Sequence, residues 1–160
     1  MIPIASIDDL IYFHEGRRHQ CYDDATSLPL NLGDRCKGRA TIGEGHTGPE
    51  VQPGLVWTDA QIAAAKAADL AIATSRAAAD IGVEWDGIDE VRQAAFIDTA
   101  FEMGGKGLAE FHHMIIAARA GDWNAASRFA LESAWARTEA PHRARDDADM
   151  ILTGQWPMTG

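Results

Sequence analysis

The sequence predicts an α+β fold, with a small β-containing lobe and a larger helical lobe joined by one long helix. Two observations support this prediction. Glycine and proline interrupt short apolar segments between residues 19 and 46, which is typical of turns in a small antiparallel sheet. The rest of the chain carries capping residues and helix-forming runs, among them a long alanine-rich segment. A cleft between two lobes is a common place for an active site, and we expect one there.

We expect a single domain over residues 1–160, because a chain of this length suits one compact fold with one sizeable core. Within it, residues 15–57 are predicted to form the β-containing lobe and residues 58–80 the connecting helix. Residues 81–160, together with an N-terminal helix at residues 6–14, are predicted to form the helical lobe.

The first two helices are predicted from the residues at their ends. Ser6 has an acidic residue three positions on, which is an N-cap pattern, and Gly16 is placed to stop the helix that follows. Thr58 and Gln61 form a capping-box pattern. Since alanine has the highest helix propensity, the next helix should run from Asp59 to about residue 80.

The later helices differ from these in character. The segment from Gly87 to Gly105 is apolar nearly all round, which indicates a central, buried helix ended by a pair of glycines. Three more helices are predicted after it, at about Leu108–Ala120, Asp122–Arg137 and Pro141–Leu152. The proline at the start of the last one suits the first turn of a helix.

The charge of the chain argues against two classes of partner. With 14 basic and 24 acidic residues, the formal net charge is −10. Proteins that bind nucleic acid or anionic lipid normally carry a basic surface, so neither partner is expected. The sequence contains no transmembrane segment and no secretory signal pattern, so we expect no membrane insertion and folding in a cytoplasm.

Glu15 and Asp24 are the first candidates for chemistry. Hydrolysis of a glycosidic bond usually needs two carboxyl groups, one protonated to donate to the leaving oxygen and one ionised to activate a water or attack the sugar. Glu15 lies at a helix end and Asp24 on a following strand or turn, so the two could flank such a bond. By spacing alone, a surface charge, a helix cap or an ion pair is the commoner outcome.

Four separated motifs cover most of the chain: EGRRHQCYDD, TIGEGHTG, VRQAAFIDTAFEMGGKGLAEF and SAWARTEAPHRARDDADMILTGQW. In this order they resemble the phage lysozyme family, the endolysins and muramidases of glycoside hydrolase family 24. The resemblance implies a lysozyme-like fold with the two lobes described above. It also implies cleavage of the β-1,4 bond between N-acetylmuramic acid and N-acetylglucosamine in peptidoglycan, with inversion and with the two carboxyl groups roughly 6.5–9.5 Å apart.

The resemblance assigns the catalytic roles by position. Glu15 becomes the general acid, Asp24 the carboxylate that positions or activates the water, and Thr41 a residue that helps to hold that water. The segment at residues 25–40 is longer than the hairpin usual in the family and could extend over the cleft. It leaves Asp23 as a rival, although Asp24 keeps the family spacing from the glutamate.

The resemblance also implies supporting and substrate-binding residues. His46 is expected to brace its lobe rather than to act as a base, and Arg143 corresponds to an arginine that faces the catalytic glutamate. Phe101 and Glu102 match a helix end that lines the cleft, and both are predicted to bind substrate. Trp135 is predicted either to pack the helical lobe or to stack near sugar.

Two further acids depart from the family pattern or extend it. Asp98 lies one helical turn before Glu102, so both should face the cleft or pair with Arg143 or Arg145. Glu44, inside TIGEGH, stands where the family often has an apolar or aromatic residue. It is either exposed through the inserted segment or a charge that favours the protonated form of the predicted acid.

Cys21 and Cys36 bracket most of the inserted segment, and three states remain open for them. A disulfide would close a loop of about 15 residues, worth roughly 3 kcal/mol in the chain-entropy model. The alternatives are free thiols or a zinc site with His19 or His46, although the spacing fits no standard zinc motif. We predict no metal and no cofactor.

The leading prediction is therefore a monomeric lysozyme that acts on peptidoglycan glycan strands. Lacking a signal, it would wait in the host bacterial cytoplasm and reach the periplasm through a membrane pore, by analogy with endolysins. Two alternatives remain open: a lytic transglycosylase that cuts the same bond without water, and a non-catalytic cell-wall-binding module.

Overall fold

Helices make up most of the structure, with a small sheet near the start of the chain. The computed structural model describes residues 3–159. Its helices and strands in chain order are α1 Ile7–Glu15, β1 Arg18–Asp23, β2 Ala40–Gly43, α2 Asp59–Ile81, α3 Glu90–Met103, α4 His112–Arg119, α5 Trp123–Glu132 and α6 Pro141–Thr153. Short 3-10 helices at Trp85–Gly87 and Gly104–Lys106 and a π-helix at Trp135–Glu139 complete the set for that range. The predicted α+β class is confirmed.

The chain divides into two compact units. One, which we call the β unit, contains residues 11–69, and the other, the helical unit, contains the chain through Leu10 and from Leu70 onward. The divisions fall inside α1 and inside α2, so each of these helices contributes residues to both units. The lobes predicted from the sequence divide the chain at other points, near residues 15, 57 and 80.

Both predicted N-caps are present. The Ser6 hydroxyl accepts the Asp9 backbone N–H at 3.2 Å and donates to the Asp9 carboxylate at 2.8 Å. The Thr58 N–H donates to Gln61 Oε1 at 2.9 Å, and the Gln61 N–H donates to Thr58 Oγ1 at 3.3 Å. These reciprocal bonds satisfy backbone donors that have no partner inside the helix, so α1 and α2 begin where the sequence predicts.

The β unit has its own small core beneath the strand pair. β1 and β2 are antiparallel, with Tyr22 opposite Thr41. The buried side chains of this core are Cys21, Leu30, Ile42 and Val51. Leu30 belongs to the inserted segment, and its N–H donates to the Cys21 carbonyl at 2.8 Å. The insertion is therefore anchored to β1 by backbone hydrogen bonding and by apolar packing.

The helical unit is organised around α3. Seven consecutive residues of this helix, Ala94–Ala100, are buried, and Phe96 has no exposed surface. A helix buried on every side must be surrounded by others, which confirms the prediction of a central helix. Gly104, with φ of +59°, follows the last residue of α3, as predicted.

Two predicted helices are shorter in the structure. α4 begins at His112 rather than near residue 108, because Gly107 has a φ of +55° and the Leu108 N–H donates to the Asp80 carboxylate at 2.8 Å. α5 ends at Glu132 rather than near residue 137. The residue after it, Ser133, has an extended conformation with ψ of 154°, which no helix can continue through. Within residues 3–159, no helix has both the length and the apolar character needed to cross a membrane.

Candidate active site

Glu15 is the last residue of α1, and the chain turns sharply after it at Gly16, which has a φ of +65°. The backbone of the TIGEGH motif lies directly against this carboxyl group. A Cβ atom added at Gly45 would lie 2.6 Å from the carboxyl carbon of Glu15, closer than real side-chain atoms approach. Gly45 also has a φ of +78°, a conformation that glycine adopts without strain. The first two motifs therefore meet at Glu15 and Gly45.

Asp24 and Thr41 are joined through a single backbone unit, that of Arg39. The Arg39 N–H donates to Asp24 Oδ1 at 2.6 Å, and the Asp24 N–H donates to the Arg39 carbonyl at 3.1 Å. The Thr41 hydroxyl donates to the same carbonyl at 3.1 Å. The Asp24 residue is exposed while Thr41 is 4% exposed, so the same backbone unit holds one residue at the surface and one that is buried.

The neighbouring acid, Asp23, has a different environment. It is 2% exposed, and its carboxylate accepts the backbone N–H groups of Lys37 at 2.6 Å, Gly38 at 3.0 Å and Ala25 at 3.0 Å. The hydrogen bond from Lys37, followed by those from the other donors, holds the pKa of Asp23 below its usual range. Asp23 thus anchors the inserted segment, and its oxygens are occupied by that segment rather than open to a water nucleophile.

The two cysteines are free thiols in the structure, in place of the disulfide that the sequence allowed. The Cys36 thiol is hydrogen-bonded to the Asp23 carboxylate, while Cys21 is fully buried in the core of the β unit. Burial raises the pKa of both thiols, and a protonated thiol reacts slowly. In the described part of the chain, no three His, Cys, Asp or Glu side chains are grouped to hold a metal ion.

Glu44 is buried, not exposed as one of the two predictions for it required. Its carboxylate is 2.8 Å from the Arg17 guanidinium, which also donates through Nε at 3.0 Å, and 2.6 Å from Lys66 Nζ. Both cations balance the charge of a side chain that has no exposed surface. Glu44 therefore ties the backbone next to Gly45 to two other segments. These are the residues after α1, through Arg17, and α2, through Lys66.

His46 is held between two carboxylates. Its Nδ1 lies 2.7 Å from Asp69 Oδ2 and its Nε2 lies 2.6 Å from Glu50 Oε1. Burial by itself would lower the pKa of His46, but the hydrogen bonds and charges of Glu50 and Asp69 outweigh it, so the pKa is raised. With both ring nitrogens engaged, His46 links the segment after β2 to α2, which agrees with a bracing role rather than that of a base.

In the helical unit, Arg143 binds the two acids expected to pair with it. Its Nε and one terminal nitrogen donate to the two oxygens of Asp98 at 2.9 and 2.6 Å, and its other terminal nitrogen donates to Glu102 at 2.6 Å. Of the alternatives predicted for Asp98 and Glu102, the structure shows the pairing with Arg143. A bidentate contact of this kind fixes the plane of the guanidinium.

Asp147 is a buried residue of this cluster that the sequence does not reveal. It has no exposed surface, and its Oδ2 accepts the Thr99 hydroxyl at 2.9 Å. Burial first, and then the charge of Asp98, raise the pKa of Asp147 well above its ordinary value. The residue lies in an acidic run with Asp146 and Asp149, and only its position on the buried face of α6 distinguishes it from them.

The two aromatic candidates both pack in the helical unit. Trp135 is 3% exposed and packs edge-on against Phe111, with ring centroids 6.0 Å apart. An indole so enclosed has no free face for a sugar ring, so the prediction that Trp135 binds substrate gives way to the alternative of core packing. Phe101 is half-buried and packs against the same core.

Comparisons with known proteins identify the family of this chain. The family model described as phage lysozyme matches residues 13–143. A curated relative, the pre-baseplate central spike protein Gp5 of Enterobacteria phage T4, is 36% identical over 74 residues, which is 46% of this chain. The match spans 13% of that relative, so the two are compared over a small part of its length. Because the family model covers most of the chain, including the residues around Glu15, Asp24 and Thr41, the protein belongs to the phage lysozyme family of glycoside hydrolases.

Proposed function

We propose that this protein is a lysozyme that hydrolyses the β-1,4 bond between N-acetylmuramic acid and N-acetylglucosamine in bacterial peptidoglycan. The observation that carries the proposal is that the Asp24 carboxylate and the Thr41 hydroxyl are both hydrogen-bonded to the backbone of Arg39. A lysozyme needs such a pair to hold a water, whereas a lytic transglycosylase forms its product without one. Membership of the phage lysozyme family supports the same substrate class.

The two carboxyl groups would have separate roles. Glu15 would donate its proton to the leaving glycosidic oxygen, while Asp24 would accept a proton from the attacking water. Asp24 Oδ1 is held by the Arg39 N–H, so Oδ2 is the oxygen proposed to receive that proton. Inversion requires the water to attack from the face opposite the leaving group, with about 6.5–9.5 Å between the carboxyl groups.

Thr41 would complete the water site. Its hydroxyl hydrogen is directed to the Arg39 carbonyl, which leaves the oxygen lone pairs to accept a hydrogen bond from water. A water held by Thr41 Oγ1 and Asp24 Oδ2 would have one lone pair free for the anomeric carbon. The threonine thus orients the nucleophile but does not itself gain or lose a proton.

Single substitutions test these roles. Glu15→Gln and Asp24→Asn should each lower the rate of glycan cleavage by at least about a hundredfold, as for loss of a positioned acid or base. The matched control is Asp34→Asn, which removes an exposed carboxylate at another position of the β unit. This variant should cleave glycan at the parent rate. If Glu15→Gln clears outer-membrane-stripped bacteria as fast as the parent, the catalytic assignment is wrong and a cell-wall-binding module becomes the better description.

Product analysis tests the reaction itself. A reducing muramic acid end with the α configuration at the moment of cleavage is expected for inverting hydrolysis of a β bond. A 1,6-anhydro end would overturn hydrolysis in favour of transglycosylation.

We further propose an endolysin role for the protein in host lysis. As a monomer it would accumulate in the host bacterial cytoplasm and act on peptidoglycan in the periplasm after a separate pore opens the membrane. Expression in bacteria with and without a membrane-permeabilising agent tests this, with Glu15→Gln as the inactive control. Lysis that needs both the active protein and the agent supports the proposal, and lysis without the agent contradicts it.

A further inference from the structure

Three cations stand at alternate positions of the inserted segment, namely Arg35, Lys37 and Arg39, and we call them the cationic strip. All three are exposed. Within residues 3–159, no carboxylate forms an ion pair with any of them. The chain has a net charge of −10, yet these three exposed cations lie within five residues and, among the residues that the structure describes, have no ion pair.

The other Lys and Arg residues of the β unit already have partners. Arg17 and Lys66 both bind the buried carboxylate of Glu44. Arg18 donates to the Ser27 carbonyl at 2.6 Å and stacks on the Tyr22 ring at 4.3 Å. The cationic strip is therefore the part of this unit whose positive charge is open to a ligand.

The backbone of the strip is held in place although its side chains are exposed. The N–H groups of Lys37 and Gly38 donate to the buried Asp23 carboxylate, and the Arg39 N–H donates to Asp24. Between the cations, Cys36 packs against the core of the β unit, and a Cβ atom at Gly38 would collide with Asp24 Oδ1. An ordered backbone lowers the entropy lost when these side chains bind a ligand.

We propose that the cationic strip binds carboxylates of the peptides that peptidoglycan carries on its muramic acid residues, and so selects peptide-bearing glycan as substrate. This inference rests on the proposed function. Cleavage at the anomeric carbon of muramic acid brings the lactyl-linked peptide of the same sugar close to the residues around Asp24. The strip ends on Arg39, which is bonded to Asp24, and guanidinium groups bind carboxylates in bidentate fashion.

Charge complementarity favours the same ligand. A polymer bearing carboxylates is repelled at long range by a chain of net charge −10. Short-range ion pairs at the strip would offset that repulsion where the glycan meets the predicted catalytic residues.

The experiment compares two triple variants of equal charge change. The strip variant is Arg35→Gln with Lys37→Gln and Arg39→Gln. The matched control is Lys106→Gln with Arg128→Gln and Arg137→Gln, three exposed cations of the helical unit. Each is assayed on soluble peptidoglycan fragments free of other wall polymers, and on the same glycan after an amidase has removed the peptides.

For the strip variant, KM on intact fragments should rise about three- to thirtyfold with little change in kcat, as for loss of three exposed ion pairs. The parent should prefer intact over peptide-free glycan, and that preference should shrink towards one in the strip variant alone. A charge-retaining variant, Arg35→Lys with Arg39→Lys, should keep most of the preference. The single variant Arg35→Gln should show a smaller change in the same direction.

Three results would overturn the proposal. Equal rises in KM for the strip variant and the control would mean that only total charge matters. An unchanged preference in the strip variant would mean that the strip does not contact the peptide. An effect that appears only when phosphodiester polymers remain attached would assign the strip to phosphate instead of carboxylate.

Failure of the proposed function is recognised separately. If the parent cleaves neither substrate, equilibrium binding of both fragments to the parent, the strip variant and the control decides the inference. Weaker binding of intact fragments by the strip variant alone then supports it, and equal binding by all three overturns it.

Discussion

At the scale of single residues, two largely enclosed titratable side chains illustrate how partners decide a protonation state. His46 has a carboxylate at each ring nitrogen, which favours its charged form. Asp147 has a second carboxylate, Asp98, beside it and no exposed surface, which favours its neutral form. Both pKa values are raised, so both residues bind protons more tightly in the folded state. Stability should fall with rising pH at each of them.

We predict a pH-dependent contribution from His46. Its ion pairs should stabilise the fold fully below the pKa of an unfolded histidine, about 6.5, and this contribution should be lost as the pH rises through the raised folded value. The pKa of Glu50 is lowered, so the stability that the Glu50 carboxylate contributes is lost only when the pH falls into the acid range. Urea unfolding of the parent and of His46→Gln should show the largest difference near pH 6 and a smaller one near pH 9. A difference that is constant with pH would contradict the prediction.

The stability of Asp147→Asn relative to the parent should increase as the pH rises from about 4 to 7. Because folding raises the pKa of Asp147, the parent loses stability as the pH rises above the value at which this carboxyl ionises in the unfolded chain, whereas asparagine is neutral throughout. Its amide also accepts from Thr99 and donates to Asp98. Thermal unfolding across this pH range measures the effect, with the exposed Asp149→Asn as the control. An Asp147→Asn difference that does not grow with pH would show that Asp147 is ionised in the folded protein.

At this scale, the sequence predicted the environment of a residue where a local pattern identified it. It did not predict the environment where burial decided it. Helical spacing places Asp98 and Glu102 on one stripe, and their pairing with Arg143, one of the alternatives predicted for them, is present in the structure. Nothing in the spacing of Asp23 and Asp24 predicts that one is buried and the other exposed. The choice depends on which of them the inserted segment folds over, and that segment lies up to 15 residues further along the chain.

At the scale of elements, the starts of α1 and α2 were predictable from the sequence, whereas the start of α4 and the end of α5 were not. Caps at Ser6 and Thr58 use side chains within three residues, so local sequence is sufficient. The end of α5 depends on Ser133, whose hydroxyl donates to the Ala130 carbonyl at 2.6 Å and accepts the Ala136 N–H at 3.1 Å. Serine is compatible with a helix interior, so the propensities predicted one helix where the structure has two.

Ser133→Ala should lower the free energy of unfolding by about 1 kcal/mol, because the π-helix that follows loses its capping acceptor. Urea denaturation measures the change. Thr138→Ala is the matched control, since the Thr138 hydroxyl donates only to a carbonyl one turn earlier and its loss should cost less than about 0.5 kcal/mol. Equal effects of the two substitutions would show that Ser133 is not a cap.

At the scale of the whole molecule, charge is unevenly divided along the chain. Residues 11–69 contain six Lys and Arg and eight Asp and Glu, so the β unit carries a net charge of −2 of the total of −10. The remaining negative charge belongs to the helical unit. An anionic polymer should therefore be repelled less by the unit that contains the predicted catalytic residues than by the other.

We predict that cell-wall cleavage does not fall steeply as ionic strength rises from about 0.01 to 0.1 M. The Debye length shortens from about 30 to about 10 Å over this range, which removes long-range repulsion while leaving contacts at the cationic strip in place. Turbidity clearing at a series of salt concentrations measures it. A steep loss of activity with added salt would show that long-range attraction, not repulsion, governs the encounter.

The sequence by itself determined the α+β class, the starts of α1 and α2, the central buried helix and the family motifs, because each depends on local capping, apolar periodicity or residue identity. Tertiary structure alone decided that Asp23 is enclosed and Asp24 exposed, that Glu44 is buried between two cations and that Trp135 is a core residue. It also decided that the pKa of Asp147 is raised by burial and by Asp98. These outcomes depend on burial and on partners distant in the chain, and such contacts leave no periodic or local trace in the sequence.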